Sequence, residues 1–168
     1  MKLASLSTID ARRVVTSILI AFFLAAALPQ IGFAQSDPVI GTWKLNLAKS
    51  KYSPGPLPKS STLHYEVTAQ GLRDTSEGID AEGKPTKVVF MVIYDGKPHP
   101  TTGSADFDAS TYTRVDDYTV NLIRIKAGKV VQTGTRVLSK DGKTETVTTT
   151  GVNAKGQQIN NVVVYDKQ

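Results

Sequence analysis

Apolar and polar residues alternate in short runs along most of this chain, and turn residues interrupt them about every ten positions. Ser61 to Thr68 shows the pattern most plainly. Leu63, Tyr65 and Val67 share one side, while Thr62, His64, Glu66 and Thr68 share the other. A period of two is the signature of a strand with one buried face. Before it, Val39 to Asn46 reads as a first strand. Leu47 to Lys59 reads as a stiff surface connection, because Pro54, Pro56 and Pro58 alternate and resist both helix and ladder.

The later segments follow the same rule. Leu72 to Ile79 is a more polar strand entered through Gln70-Gly71, and Lys87 to Tyr94 is apolar on both faces and expected to be the most buried. Asp95-Gly96 is a favoured hairpin turn. Lys97 to Thr101 contains Pro98 and Pro100, which limits it to a short edge strand. Gly103 to Ala109 reads as a loop, followed by strands at Thr111 to Val115, Tyr118 to Lys126, Lys129 to Ser139, Thr144 to Val152 and Gln158 to Asp166. Helical periodicity is nearly absent. About ten short strands joined by tight turns predict an antiparallel up-and-down meander. Closure into a barrel of eight to ten strands would remove its exposed edges.

The N-terminus has a different character. Lys2, Arg12 and Arg13 precede Val14 to Leu28, an apolar stretch of about 15 residues, and Gly32-Phe33-Ala34 supplies the small residues of a cleavage site. The stretch is shorter than the roughly 20 residues needed to span a bilayer. Residues 1–34 are therefore expected to be a cleaved secretory signal, leaving 35–168 as one exported domain, periplasmic or secreted, with no membrane span. Loss of three positive charges and one negative lowers the net charge from +5 to +3. Basic residues are scattered among acids, and aromatic residues do not interleave with a basic groove, which argues against a nucleic-acid partner. The chain has no Cys, so a core and not disulfides must hold it.

Gly41-Thr42-Trp43-Lys44-Leu45 contains the only Trp. It resembles the Gly-x-Trp signature that opens the first strand of the calycin superfamily, the lipocalins and fatty-acid-binding proteins. Val164-Tyr165-Asp166-Lys167 resembles the last strand of fatty-acid-binding proteins. Along its whole exported region the chain also resembles small exported bacterial lipocalin-like proteins of unsettled function. The resemblance implies a calycin-like barrel, Gly41 and Trp43 as its structural motif, Tyr165 inside, and an Arg stacked on Trp43, with Arg124 and Arg136 as candidates. It also marks departures. Val163 stands where fatty-acid-binding proteins carry a carboxylate-binding Arg, and the Pro-rich connection replaces their helical lid. Avidins share the Gly-Thr-Trp opening but build their pockets from several Trp residues.

Turn arithmetic sorts the last four strands. With two-residue turns at Ala127-Gly128 and Asp141-Gly142, Tyr118, Val120, Leu122 and Arg124 share a face with Val131, Thr133, Thr135 and Val137. That face continues through Thr146, Thr148 and Thr150 to Ile159, Asn161, Val163 and Tyr165. With Tyr165 inside, Arg124 becomes the candidate anchor for an anionic head group, and a single bulge would flip the parity and send Arg136 inward instead. Arg124, Arg136, Asn161 and Tyr165 are the candidate ligand-binding residues.

Catalytic signals are sparse. His64 lies on the polar face of its strand and His99 between two prolines, and neither has the neighbours of a nucleophilic site or a metal site. Asp106-Phe107-Asp108 and Asp116-Asp117 read as solvated turn acids, since the loop grammar of a calcium site is missing. An enzyme would need a perturbed acid or base in the cavity, and the sequence names none. The expected function is non-catalytic binding of a lipid or other hydrophobic or amphipathic small molecule inside the barrel, without cofactor or metal. The alternative is a filled barrel acting through its surface as an interaction or inhibitor module; room for a ligand discriminates the two.

Overall fold

Ten strands pair in chain order, and the first closes on the last. The computed structural model describes residues 37–168; the expected signal segment and its cleavage point after Ala34 lie outside the described residues. The strands are β1 (Gly41–Leu45), β2 (Ser60–Thr68), β3 (Gly71–Ile79), β4 (Pro85–Val92), β5 (His99–Thr102), β6 (Ala109–Arg114), β7 (Thr119–Lys126), β8 (Lys129–Leu138), β9 (Thr144–Val152) and β10 (Gln158–Lys167). Every neighbouring pair is antiparallel, and β1 pairs with both β2 and β10, so no strand is left as an edge. The expected all-β meander is therefore observed as a closed barrel of ten strands.

One end of the barrel is packed solid. Trp43 is 0% exposed, and its indole N–H donates to the Val39 carbonyl at 2.7 Å. Val92, Val120 and Leu138 are buried in the same cluster. The cation on the Trp43 ring is Lys167, whose Nζ lies 5.0 Å from the ring centroid and donates to the Pro38 carbonyl at 2.9 Å. This corrects the expectation of Arg124 or Arg136 at that place. Trp43 and Lys167 are cross-strand partners on β1 and β10, so register alone brings them together. Gly41 is part of the same device. Its φ is +128°, and a Cβ there would sit 3.2 Å from Lys167 Cε.

Two local expectations need correction. β4 is not the most buried strand: Pro85, Thr86 and Lys87 are exposed, and only Phe90 and Val92 are fully buried. A single-layer barrel buries one face of each strand, so an apolar outer face stays in contact with water. The connection after β1 is also more ordered than a surface loop. Asn46 caps a 3-10 turn at Leu47–Lys49. Lys51 then exchanges backbone hydrogen bonds with Val162 at 2.7 and 2.8 Å, extending the ladder along β10. The Ser53 carbonyl still accepts from the Asn160 N–H at 2.7 Å before the prolines end the pairing.

Candidate functional site within the barrel

The opposite end of the barrel is hollow. A cavity of about 250 Å³ lies between the closed end and a mouth formed by Tyr52, Asp106 and Asn161. Phe90 and Phe107 form an aromatic wall, their ring centroids 6.0 Å apart. Tyr52 reaches the cavity from the connection after β1.

Strand parity decides which polar groups line this space. A bulge interrupts the β7–β8 ladder, where Ile125 pairs with Val130 but Arg124 pairs with Gln132. Val131 is the extra residue. From there on Gln132, Arg136 and Leu138 point inward and are buried; Thr133, Thr135 and Val137 of the expected inner set face outward, while Val131, the extra residue, is half-buried and packs against the core. Because β8 sets β9, with Arg136 opposite Val147, Val147 and Thr149 line the cavity, and Thr146, Thr148 and Thr150 do not. The next turn has five residues, 153–157, with Val152 paired to Gln158. That odd count reverses the parity again, so Ile159, Asn161, Val163 and Tyr165 face inward as expected. Tyr118, at the start of the β7 face, stands outside the barrel and exposed. Gly151 accommodates the bulge: its φ is +139°, and a Cβ would fall 2.2 Å from the Val131 carbonyl oxygen.

Both candidate arginines thus line the cavity, but they differ in kind. Arg124 lies over Phe107 at 4.2 Å and over Phe90 at 5.0 Å. Among the described residues it has no side-chain hydrogen bond or ion pair. Arg136 is 4% exposed and donates to the Tyr94 hydroxyl at 2.7 Å. Tyr94 in turn donates to Asp37 Oδ2 at 2.7 Å, which also accepts from Arg114. Burial works against the Arg136 charge, but Tyr65, Tyr94 and Glu145 outweigh it and raise its pKa. Burial likewise pushes the Asp37 carboxyl up, and hydrogen bonds from Tyr94, the Val39 N–H and Arg114 bring the net result below the ordinary value.

The other two candidates are partly committed to the scaffold. Asn161 Oδ1 accepts from the Ser53 N–H at 3.0 Å, tying the connection after β1 to β10. The Tyr165 hydroxyl lies 3.4 Å from Ser61 Oγ, and burial raises its pKa.

Two buried carboxyls complete the interior, and the sequence reading passed over both. Asp74 is 5% exposed and lines the cavity; Glu145 is 0% exposed. Glu145 Oε1 accepts from the Tyr65 hydroxyl at 3.0 Å. Asp74 Oδ1 and Glu145 Oε2 accept no hydrogen bond. Burial, then the charge of Glu145, pushes Asp74 up to about 8. Burial pushes Glu145 up to about 7, against the opposing pull of Arg136 and Tyr65. The signal was present in the pattern: Leu72, Asp74 and Ser76 alternate on β3 as Glu145, Val147 and Thr149 do on β9, placing an acid at an inner position of each strand.

The remaining acids and histidines serve the surface and the mouth. Asp106 Oδ1 accepts from the Ala154 N–H at 2.8 Å, and Asp108 Oδ2 from the Ala127 N–H at 3.0 Å. Asp116 Oδ1 accepts from the Tyr118 N–H at 2.8 Å, as turn acids do. His64 Nδ1 lies 3.1 Å from Thr42 Oγ1, and His99 Nε2 lies 2.9 Å from Asp95 Oδ1.

The architecture is calycin-like. Its ten antiparallel strands run in meander order and close on themselves. No protein-family model matches the chain, and no curated protein matches its sequence. Among solved structures, a redesigned β-barrel, mFAP0, bound to DFHBI is similar at 13% identity and a TM-score of 0.43, over 77% of this chain and 99% of that one. The zebrafish ileal bile acid-binding protein complexed with cholic acid is similar at 11% identity and a TM-score of 0.43, over 78% of this chain and 99% of that one. Likeness at this level carries no argument about what this barrel holds.

Proposed function

We propose that this chain is an exported binding protein that holds a compact amphipathic acid inside its barrel without changing it chemically. Arg124 carries the reading. A guanidinium that lines a cavity against Phe107 and Phe90, with no ion pair among the described residues, is an anchor for an anionic group. The aromatic rings, Leu122, Val163 and Ile159 supply the apolar wall. Asn161 and Tyr165 contribute polar groups.

The cavity volume narrows the ligand. About 250 Å³ is just under the roughly 300–1,000 Å³ of small-molecule pockets, which favours a short chain or a single ring over a long lipid. Asp74 is a perturbed acid in a cavity, the kind of group that catalysis uses. No His lines the same space, and no cluster of metal-ligating residues occurs among the described residues. Binding is the reading these residues support. Export rests on the charged, apolar and small-residue run of residues 1–34.

Native mass spectrometry of the protein taken from its own cell envelope, before and after mild organic extraction, tests both parts. The expected result is a chain beginning at Gln35 with a small acid that extraction removes. In titrations, octanoate should bind the wild-type protein and lose at least tenfold in affinity with Arg124→Leu. A bare mass together with no uptake of octanoate overturns the carrier reading in favour of a barrel that acts through its surface.

A further inference from the structure

The wall of the cavity holds a buried carboxyl oxygen without a partner. Asp74 projects from β3 into the cavity, and its Oδ1 is shielded from solvent and accepts no hydrogen bond. The Tyr65 hydroxyl stands on the paired position of β2 but gives its proton to Glu145 Oε1. Arg136 is committed to Tyr94. Native proteins seldom leave a buried polar side chain unpaired, and a group so placed at a binding cavity is commonly completed by what binds there.

We propose that Asp74 is a second ligand anchor, which takes an uncharged polar group, a hydroxyl or carbonyl, at the buried end of a ligand whose acid group lies on Arg124. The ligand class is then a compact hydroxy- or oxo-acid with its two polar groups at opposite ends of an apolar middle. This inference rests on the carrier reading and deepens it.

Charge favours a neutral group at Asp74. Arg136 and Arg124 already bring positive charge to the cavity wall, so an ammonium would meet like charge there. Burial and the neighbouring Glu145 push the Asp74 carboxyl towards its protonated form. A protonated carboxyl both donates and accepts, which matches a hydroxyl as partner.

Isothermal titration of the protein with octanoate, ω-hydroxyoctanoate and ω-aminooctanoate tests the assignment, in the wild type and in Asp74→Asn and Asp74→Leu. The hydroxy acid should bind the wild type about three- to tenfold tighter than octanoate, the worth of one buried hydrogen bond. That ratio should persist in Asp74→Asn, whose amide also donates and accepts, and fall to about one in Asp74→Leu. Equal binding of the two acids by the wild type overturns the inference, as does a preference that survives in Asp74→Leu. Tighter binding of the amino acid than of the hydroxy acid, with proton release, overturns the assignment of a neutral group. If no acid binds at all, the carrier reading itself fails and takes this one with it.

Discussion

The Tyr65 hydroxyl crosses the barrel interior to donate to Glu145 Oε1 at 3.0 Å, joining residues 80 positions apart in sequence. It is the single hydrogen bond given to a carboxyl that is otherwise sealed from water, since Glu145 Oε2 has none. Tyr65→Phe should therefore destabilise the barrel by about 1–3 kcal/mol, the cost of leaving a buried acceptor unsatisfied. Glu145→Gln should cost less, because an amide keeps an acceptor for Tyr65 and is cheaper to bury than a charge. Urea unfolding of the two variants gives the comparison, and a larger loss for Glu145→Gln would contradict it.

The two buried acids also set a pH dependence. Asp74 moves from 3.8 to about 8 and Glu145 from 4.5 to about 7 on folding. The charged and titratable groups around them are Arg136, Arg124, Tyr65, Tyr112, Asp37 and Lys167. Both acids hold their protons in the folded state at pH values where the unfolded chain has lost them. Their contribution is complete below the unfolded values and is lost as pH rises through the folded ones. Thermal unfolding should therefore fall in midpoint between about pH 5 and about pH 8. Asp37 is shifted the other way, and its contribution is lost as pH falls through its lowered value. Asp74→Asn with Glu145→Gln should flatten the slope on the neutral side; an unchanged slope would show that these groups do not cause it.

Trp43 plugs the closed end and does not line the cavity. Trp43→Ala should cost about 3–5 kcal/mol, as deletion of a fully buried indole does. Lys167→Met removes the cation above the ring and the bond to Pro38, and should cost about 1 kcal/mol. Denaturant midpoints separate the two. Unchanged unfolding of Trp43→Ala would refute the structural role.

Gly151 faces the Val131 bulge. Its φ of +139° and the 2.2 Å approach of a Cβ to the Val131 carbonyl leave no room for a side chain. Gly151→Ala should lose about 2 kcal/mol or more, through strain and backbone displacement. The loss should come with altered amide shifts along β8, because the bulge fixes which of its residues face inward. Stability equal to the wild type would mean that the β8–β9 ladder shifts at little cost.

The sequence carried the architecture far. The alternation of Leu63 and Tyr65, the turns at Asp95-Gly96 and Asp141-Gly142, and the absence of helical periodicity specify local structure that short-range sterics and hydrogen bonding enforce. Gly41 and Trp43 marked the first strand for the same reason: a left-handed glycine and a large ring are needed at fixed places. The interior followed a different logic. One extra residue at Val131 turned β8 and β9 over, and a five-residue turn after Val152 restored β10. Parity errors of this kind cannot be read from alternation, because a strand slipped by one residue alternates equally well. The burial of Asp74 and Glu145, and the placing of Lys167 on Trp43, came from closure of the barrel. Only when distant strands meet does it become settled which polar side chains share a low-dielectric interior and which of them find partners there.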